Sequence, residues 1–366
     1  MNPVERVLRT VDGWQQRSTP AAFTFGVVKK FGDDNGGVLV ANLTYTAFVT
    51  LFPLLLVFTT ILGLVASLDP GFKQAAENAV ASQVPIIGHT LTSNVQTLQR
   101  SSVIGLIVGL VVTIWGSLGL AQAGLYTMEH VWNLPGPDRP GFLPRIARSV
   151  LFLVLLAIDV IATTALASFT TYGHGPLELF AFAEAVAATV NAGMFVVGFR
   201  ILTPKAVATV DLVRGGVIAG MLWTVLQVLG TWLVHHFLHS DSVYGEFATV
   251  LGLVAWLYLA ARITVYCAEI NVVLARRLWP RSIIQPPLTE ADKTSLALQA
   301  LENQQRKEQE VHVTFLDEHQ TPQEHLVPQE HSASQEHPAP QAPPAARQAP
   351  DHHPAPDAAS SARKPA

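Results

Sequence analysis

Residues 38–67 read VLVANLTYTAFVTLFPLLLVFTTILGLVAS, thirty positions without a Lys, Arg, Asp or Glu. A bilayer core about 30 Å thick is crossed by roughly 20 residues of apolar helix, so this stretch is long enough to span it. The run is continuous rather than alternating, which excludes a strand of a membrane barrel. It starts too late and runs too long for a cleavable signal peptide. Five more such stretches lie near 103–127, 146–172, 180–202, 215–238 and 244–274. The sequence therefore predicts an all-α polytopic membrane protein with six transmembrane helices.

The composition agrees. Hydrophobic residues make up 49% of the 366 and charged residues 14%. Soluble domains carry about 25% charged residues, so an ordinary soluble enzyme is excluded. Cys267 is the single cysteine, which excludes an internal disulfide and a Cys-based zinc site. Residues 1–281 hold 17 Lys/Arg and 15 Asp/Glu, whereas 282–366 hold 6 and 12. A weakly charged apolar body thus precedes an acidic tail, and neither is a basic nucleic-acid surface.

Lys and Arg in short flanks set orientation. They cluster as Arg6, Arg9, Arg17, Lys29 and Lys30; as Arg139, Arg145 and Arg148; as Arg200, Lys205 and Arg214; and as Arg276, Arg277 and Arg281. The intervening flanks hold only Lys73 and Arg100. Both termini are expected in the cytoplasm. Three regions follow: a cytoplasmic, interfacial segment over 1–37, a six-helix domain over 38–280, and a disordered tail over 281–366.

In the first region, Val4, Val7, Leu8, Val11 and Trp14 recur at helical spacing, as in a helix lying on the inner membrane surface. Within loop 68–102, Ala75, Ala76, Ala79, Val80, Val84 and Ile87 suggest a short helix broken by Pro85 and Gly88. Residues 290–311 are polar and could form a helix. Beyond them, PQEHLV, PQEHSA and SQEHPA form a degenerate repeat that cannot bury a core.

Ionisable groups inside spans are costly and mark function. Counting from the nearest basic flank at 1.5 Å per residue, Asp159 lies about 16 Å deep, Arg262 about 21 Å, Asn191 about 14 Å and Gln227 about 20 Å. Asp159 and Arg262 are expected to pair or to share a water-filled cavity, either as a structural ion pair or as a substrate or ion site. Tyr258 and Glu269 share the helical face of Arg262, and Asn271 lies nearer the cytoplasmic end. Tyr45, Glu269 and Asn271 are expected at the inner mouth. Pro53 should kink the first span. Gly105 with Gly109 and Gly116 with Gly119 suit close helix packing.

Several segments resemble the YihY/virulence factor BrkB family: ANLTYTAFVTLFPLLLVFTTILGLV at 41–65, SLGLAQAGLYTMEHVWNLP at 117–135 with RPGFLPRIARS at 139–149, and the closing pattern of Tyr244-Gly245, Trp256-Leu257-Tyr258 and Ala268-Glu269-Ile270-Asn271. The resemblance covers about 38–280 and implies a six-helix protein of the bacterial cytoplasmic (inner) membrane. Relatives have carried the label ribonuclease BN. A metal nuclease needs clustered His and carboxylate ligands. His89, His130, His174, His235, His236 and His239 supply no such cluster, and Asp241 is the sole carboxylate near the last three.

The expected function is transport or export of a lipid, an envelope precursor or a small solute through a polar midplane cavity. No covalent chemistry, metal, cofactor or nucleic acid is expected. Expected partners are the bilayer, the cargo, a second copy of the chain and a protein bound by the tail. The alternative is a non-transporting scaffold for envelope or virulence-related partners.

Overall fold

The computed structural model describes residues 3–66, 103–172, 177–237 and 243–315. These residues are helices and their connections, with no strand among them. In chain order the helices are α1 (Pro3–Arg17), α2 (Thr19–Asp33), α3 (Gly36–Ala66), α4 (Val103–Val131), α5 (Phe142–Tyr172), α6 (Leu177–Leu202), α7 (Thr209–Phe237), α8 (Val243–Arg276) and α9 (Glu290–Glu302). Three carry stretches long and apolar enough to cross a membrane: Ala185–Leu202 in α6, Thr209–Gly230 in α7 and Val250–Arg276 in α8. Gly36–Leu51 of α3 is a shorter apolar stretch.

From α3 to α8 each long helix packs on its successor, and α8 returns to α3, so the six close a ring. Glycine lets α7 sit tightly between its neighbours. A Cβ at Gly216 would lie 2.9 Å from the Val196 Cα, and one at Gly220 would fall on the Asn191–Ala192 backbone of α6. On the other side, a Cβ at Gly215 would lie 2.6 Å from Asn271 Nδ2 of α8. Such small-residue contacts replace the hydrophobic driving force that is missing between helices in lipid. The α3–α4 pair uses the same device, since Thr50 Oγ1 donates to the Gly116 carbonyl at 2.9 Å.

One end of the ring collects the α2–α3 turn, the α4–α5 connection, the α6–α7 connection and the chain after α8. Leu39, Leu134, Val207 and Leu278 come from these four places and share one buried core. Helix α4 stops in a double-bonded C-terminal turn: Asn133 N donates to His130 O at 2.8 Å and Leu134 N to Glu129 O at 3.0 Å. Asn133 takes φ 45°, the left-handed conformation Asn tolerates. Helix α8 ends similarly, with Arg277 at φ 52° and Leu278 N bonded to Val273 O at 3.1 Å.

The chain over 281–315 departs from the expectation of a disordered tail, while α9 falls within the 290–311 stretch that could form a helix. Arg281, Ser282 and Asp292 are buried, and α9 opens with a reciprocal capping box between Thr289 and Asp292. The cause is charge pairing with α2, described below. The expected helix within 68–102, the side chains at Pro53, Gly105, Gly109, His235 and His236, His239, and the repeat beyond 315 lie outside the described residues.

Candidate functional site

Helices α5 to α8 line a half-open cavity of about 220 Å³. From α5 come Phe152, Leu155 and Asp159, at the spacing that puts three and seven residues on one helical face. Helix α6 supplies Asn191, Phe195 and Phe199, again one face; α7 supplies Trp223 and α8 Thr264. The lining is mostly aromatic and aliphatic, with Asp159 and Asn191 as its main polar groups. Asn191 is buried and donates from Nδ2 to Thr224 Oγ1 at 3.2 Å; Thr224 in turn donates to the Gly220 carbonyl at 3.0 Å. This chain holds the amide at the cavity wall. An apolar chamber with two convergent polar groups is the usual form of a small-ligand site.

The other residues singled out in the sequence go elsewhere. Arg262 is exposed on α8, its guanidinium 5.7 Å from the Tyr266 ring centroid. It forms no ion pair with Asp159, because Arg262 points to the surface beside Tyr266 whereas Asp159 faces the pocket. Tyr258 is 40% exposed on the same helix and Tyr45 is 70% exposed on α3. Gln227 is half-buried on α7 and is not part of the cavity lining. Glu269 and Asn271, expected at an inner mouth, are buried. Asn271 accepts from Gly215 N at 2.7 Å and donates to Leu212 O at 3.2 Å, clamping α8 to the start of α7.

Sequence reasoning missed a network of buried charges at the end where the connections meet. Asp292 of α9 accepts from Lys29 Nζ at 2.8 Å, Arg281 Nε at 2.6 Å and Ser282 N at 3.0 Å. Burial opposes its ionisation, but these bonds and Thr289 outweigh it and hold the carboxyl far below the usual range. Arg281 also reaches Asp33 at 2.7 Å. Asp12 of α1 joins by accepting from Ile283 N at 3.0 Å. Helix α1 thus docks through polar groups and leaves Val7, Leu8, Val11 and Trp14 exposed.

A second branch runs across the ring. Lys30 bonds Asp34, donates to the Val131 carbonyl at 3.2 Å and lies 3.7 Å from Glu269 Oε2. Asn133 Nδ2 bridges Asp34 Oδ1 at 3.2 Å and Glu302 Oε2 at 2.9 Å. Glu302 also pairs with His130 and with Arg139 at 3.3 Å. Burial works against the Glu302 carboxylate, yet His130, Asn133 and Arg139 keep its pKa lowered. Burial pushes the Asp34 carboxyl up despite Lys30 and Asn133. Two signals for this network were local: Lys30 and Asp34 at helical i,i+4 spacing, and Thr289 three residues before Asp292. Among the described residues, no three His, Cys, Asp or Glu side chains cluster as metal ligands.

The Virulence factor BrkB family model matches residues 27–289. The chain is 25% identical over 274 residues to "Inner membrane protein YhjD" of Escherichia coli (strain K12), covering 69% of this chain and 81% of that protein. It is 23% identical over 257 residues to a "UPF0761 membrane protein" of Alcanivorax borkumensis, covering 68% of this chain and 59% of that one. It is also similar to "Putative ribonuclease-like protein YfkH" of Bacillus subtilis, 22% identical over 250 residues, with 65% and 89% covered. No solved structure matches. The family match spans most of the chain, which belongs to the Virulence factor BrkB family and is a membrane protein.

Proposed function

We propose that this BrkB-family protein moves a lipid, an envelope precursor or a small solute across the bacterial cytoplasmic membrane. Helices α3 to α8 would be its six spans, with both termini in the cytoplasm. The observation that carries the reading is the apolar chamber with Asp159 and Asn191 in its wall. A carboxyl group inside a membrane protein is expensive, and facing a cavity is the arrangement that tolerates it. Asp159 and Asn191 would meet the cargo's polar part, and the aromatic wall its apolar part. Arg262 with Tyr258, Tyr45 and Gln227 would lie on the cargo's route or against a second copy of the chain. No bond is made or broken, so no enzymatic step, metal or cofactor enters.

The orientation is supported by the four basic-flanked connections meeting at one end of the ring. The outward apolar face of α1 would rest on the inner leaflet, with Trp14 at headgroup depth. The name of the Escherichia coli relative favours the inner membrane for this chain too.

Proteoliposomes that report both labelled phospholipid crossing and solute leak test the reading. Protein-dependent crossing that Asp159→Asn abolishes supports it. Crossing that is unchanged in Asp159→Asn overturns the cavity as the site. A scaffold reading is favoured by the fixing of 281–302 to the bundle, which launches the following chain from a defined place. It requires function to vanish on deletion of 316–366 and to survive Asp159→Asn.

A further inference from the structure

Glu269 occupies an unusual position. Its side chain is 0% exposed, and its carboxyl oxygens receive no N–H donor; the neighbour close enough to share a proton is the Asp34 carboxyl. Lys30 is the cation that faces it, at 3.7 Å from Oε2, and Lys30 is already engaged with Asp34 and the Val131 carbonyl. Helix α2 and the residue that caps it therefore present Lys30 and Asp34 to Glu269, with Asp33 farther off and drawn to Arg281. Helix α4 contributes the Val131 carbonyl to Lys30 and Asn133 to Asp34, and through Asn133 the α9 residue Glu302 joins. One ammonium thus serves two buried carboxyl groups. Both ionised would leave an uncompensated negative charge out of water, and two such groups around one site resolve by sharing out a proton. A metal ion is not the occupant, because the Lys30 ammonium stands where it would sit.

We propose that Glu269 is a proton-binding residue of this protein and is protonated in the arrangement seen here. The proposal rests on the transport reading and supplies its coupling ion. The Glu269 O–H releases its proton to water on the side of the capped end. The carboxylate left behind takes the Lys30 ammonium from Asp34, so a pair within α2 is exchanged for a pair between α2 and α8. Asp34 is hydrogen-bonded through Asn133 to Glu302, so proton release at α8 loosens the hold of α9. Proton binding is in this way linked to opening of the capped end.

Infrared spectroscopy of the purified full chain in lipid, with no cargo and no gradient, tests this directly. At neutral pH the wild type should show a protonated-carboxyl band that Glu269→Gln removes and the exposed-site control Glu290→Gln keeps. Asp34→Asn is the second variant. It frees Lys30 for Glu269, so Glu269 should ionise and the same band should be lost. Retention of every protonated-carboxyl band in Glu269→Gln overturns the proposal, as does a Glu269 band that persists in Asp34→Asn. The band is read without transport. Its absence sinks the proton site alone, whereas an intact band with no cargo crossing sinks the transport reading alone.

Discussion

The two polar regions of this molecule are built on opposite plans. At the capped end, charges are many and mutually matched: Asp292 alone is met by Lys29, Arg281 and a backbone N–H. In the chamber between α5 and α8, polar groups are few and set in an aromatic wall. The first plan fixes elements to one another across long stretches of chain. The second leaves room for a guest. Burial alone does not separate them, since Asn191 and Asp292 are both buried. What separates them is the company they keep: Asp292 sits among opposite charges, whereas Asn191 is held by Thr224 in an apolar wall.

Four substitutions or conditions put that contrast at risk. Asp292→Ala should have the largest effect on stability. It leaves Lys29 with the Ser282 carbonyl and buried Arg281 with Asp33 alone, and breaking a buried pair costs about 3–5 kcal/mol. Limited proteolysis should show cleavage within 281–302, with lowered thermal stability in detergent. A variant as protease-resistant as wild type would show the end is held by something else. Asn271→Ala removes the clamp on Gly215 and Leu212, and orphaned buried backbone groups cost about 1–3 kcal/mol. Denaturant unfolding measures it.

Acidification acts on the same end. Asp292 and Glu302 have folded pKa values below their unfolded ones. Their contribution is fully present above the ordinary carboxylate pKa of about 4 and is lost as pH falls below it. Amide exchange in α9 should therefore rise below about pH 4. Asp34, whose pKa is raised, works with the opposite sign and makes the loss gradual. Smallest in stability should be Arg262→Gln, within about 0.5 kcal/mol for an exposed side chain. A large drop in its unfolding midpoint would mean that Arg262 is covered by another copy in lipid.

Much of the fold was legible because apolar periodicity is a local property. The long helices α3 to α8 fall on the six apolar runs, and Asp159 and Asn191 both line the pocket between α5 and α8. Depth, however, says nothing about azimuth. Arg262 lies at similar depth but on another face, against Tyr266. Glu269 reads as mouth-lining from its place near the cytoplasmic end of the last span; its neighbour Lys30 sits near the start of the chain, and no periodicity reveals such a pairing. The segment 281–302 looked like tail because its composition is polar. Its folding depends on Asp12, Lys29 and Asp33, which a local reading does not connect to it.

The lock at the capped end also fixes an order of events during synthesis. Arg281, Asp292 and Glu302 are made after every helix they fasten. Until they emerge from the ribosome, Lys29, Asp33 and Asn133 have no partners from the far end of the chain. The ring is therefore made before the residues that fasten this end, and its closure waits for α9.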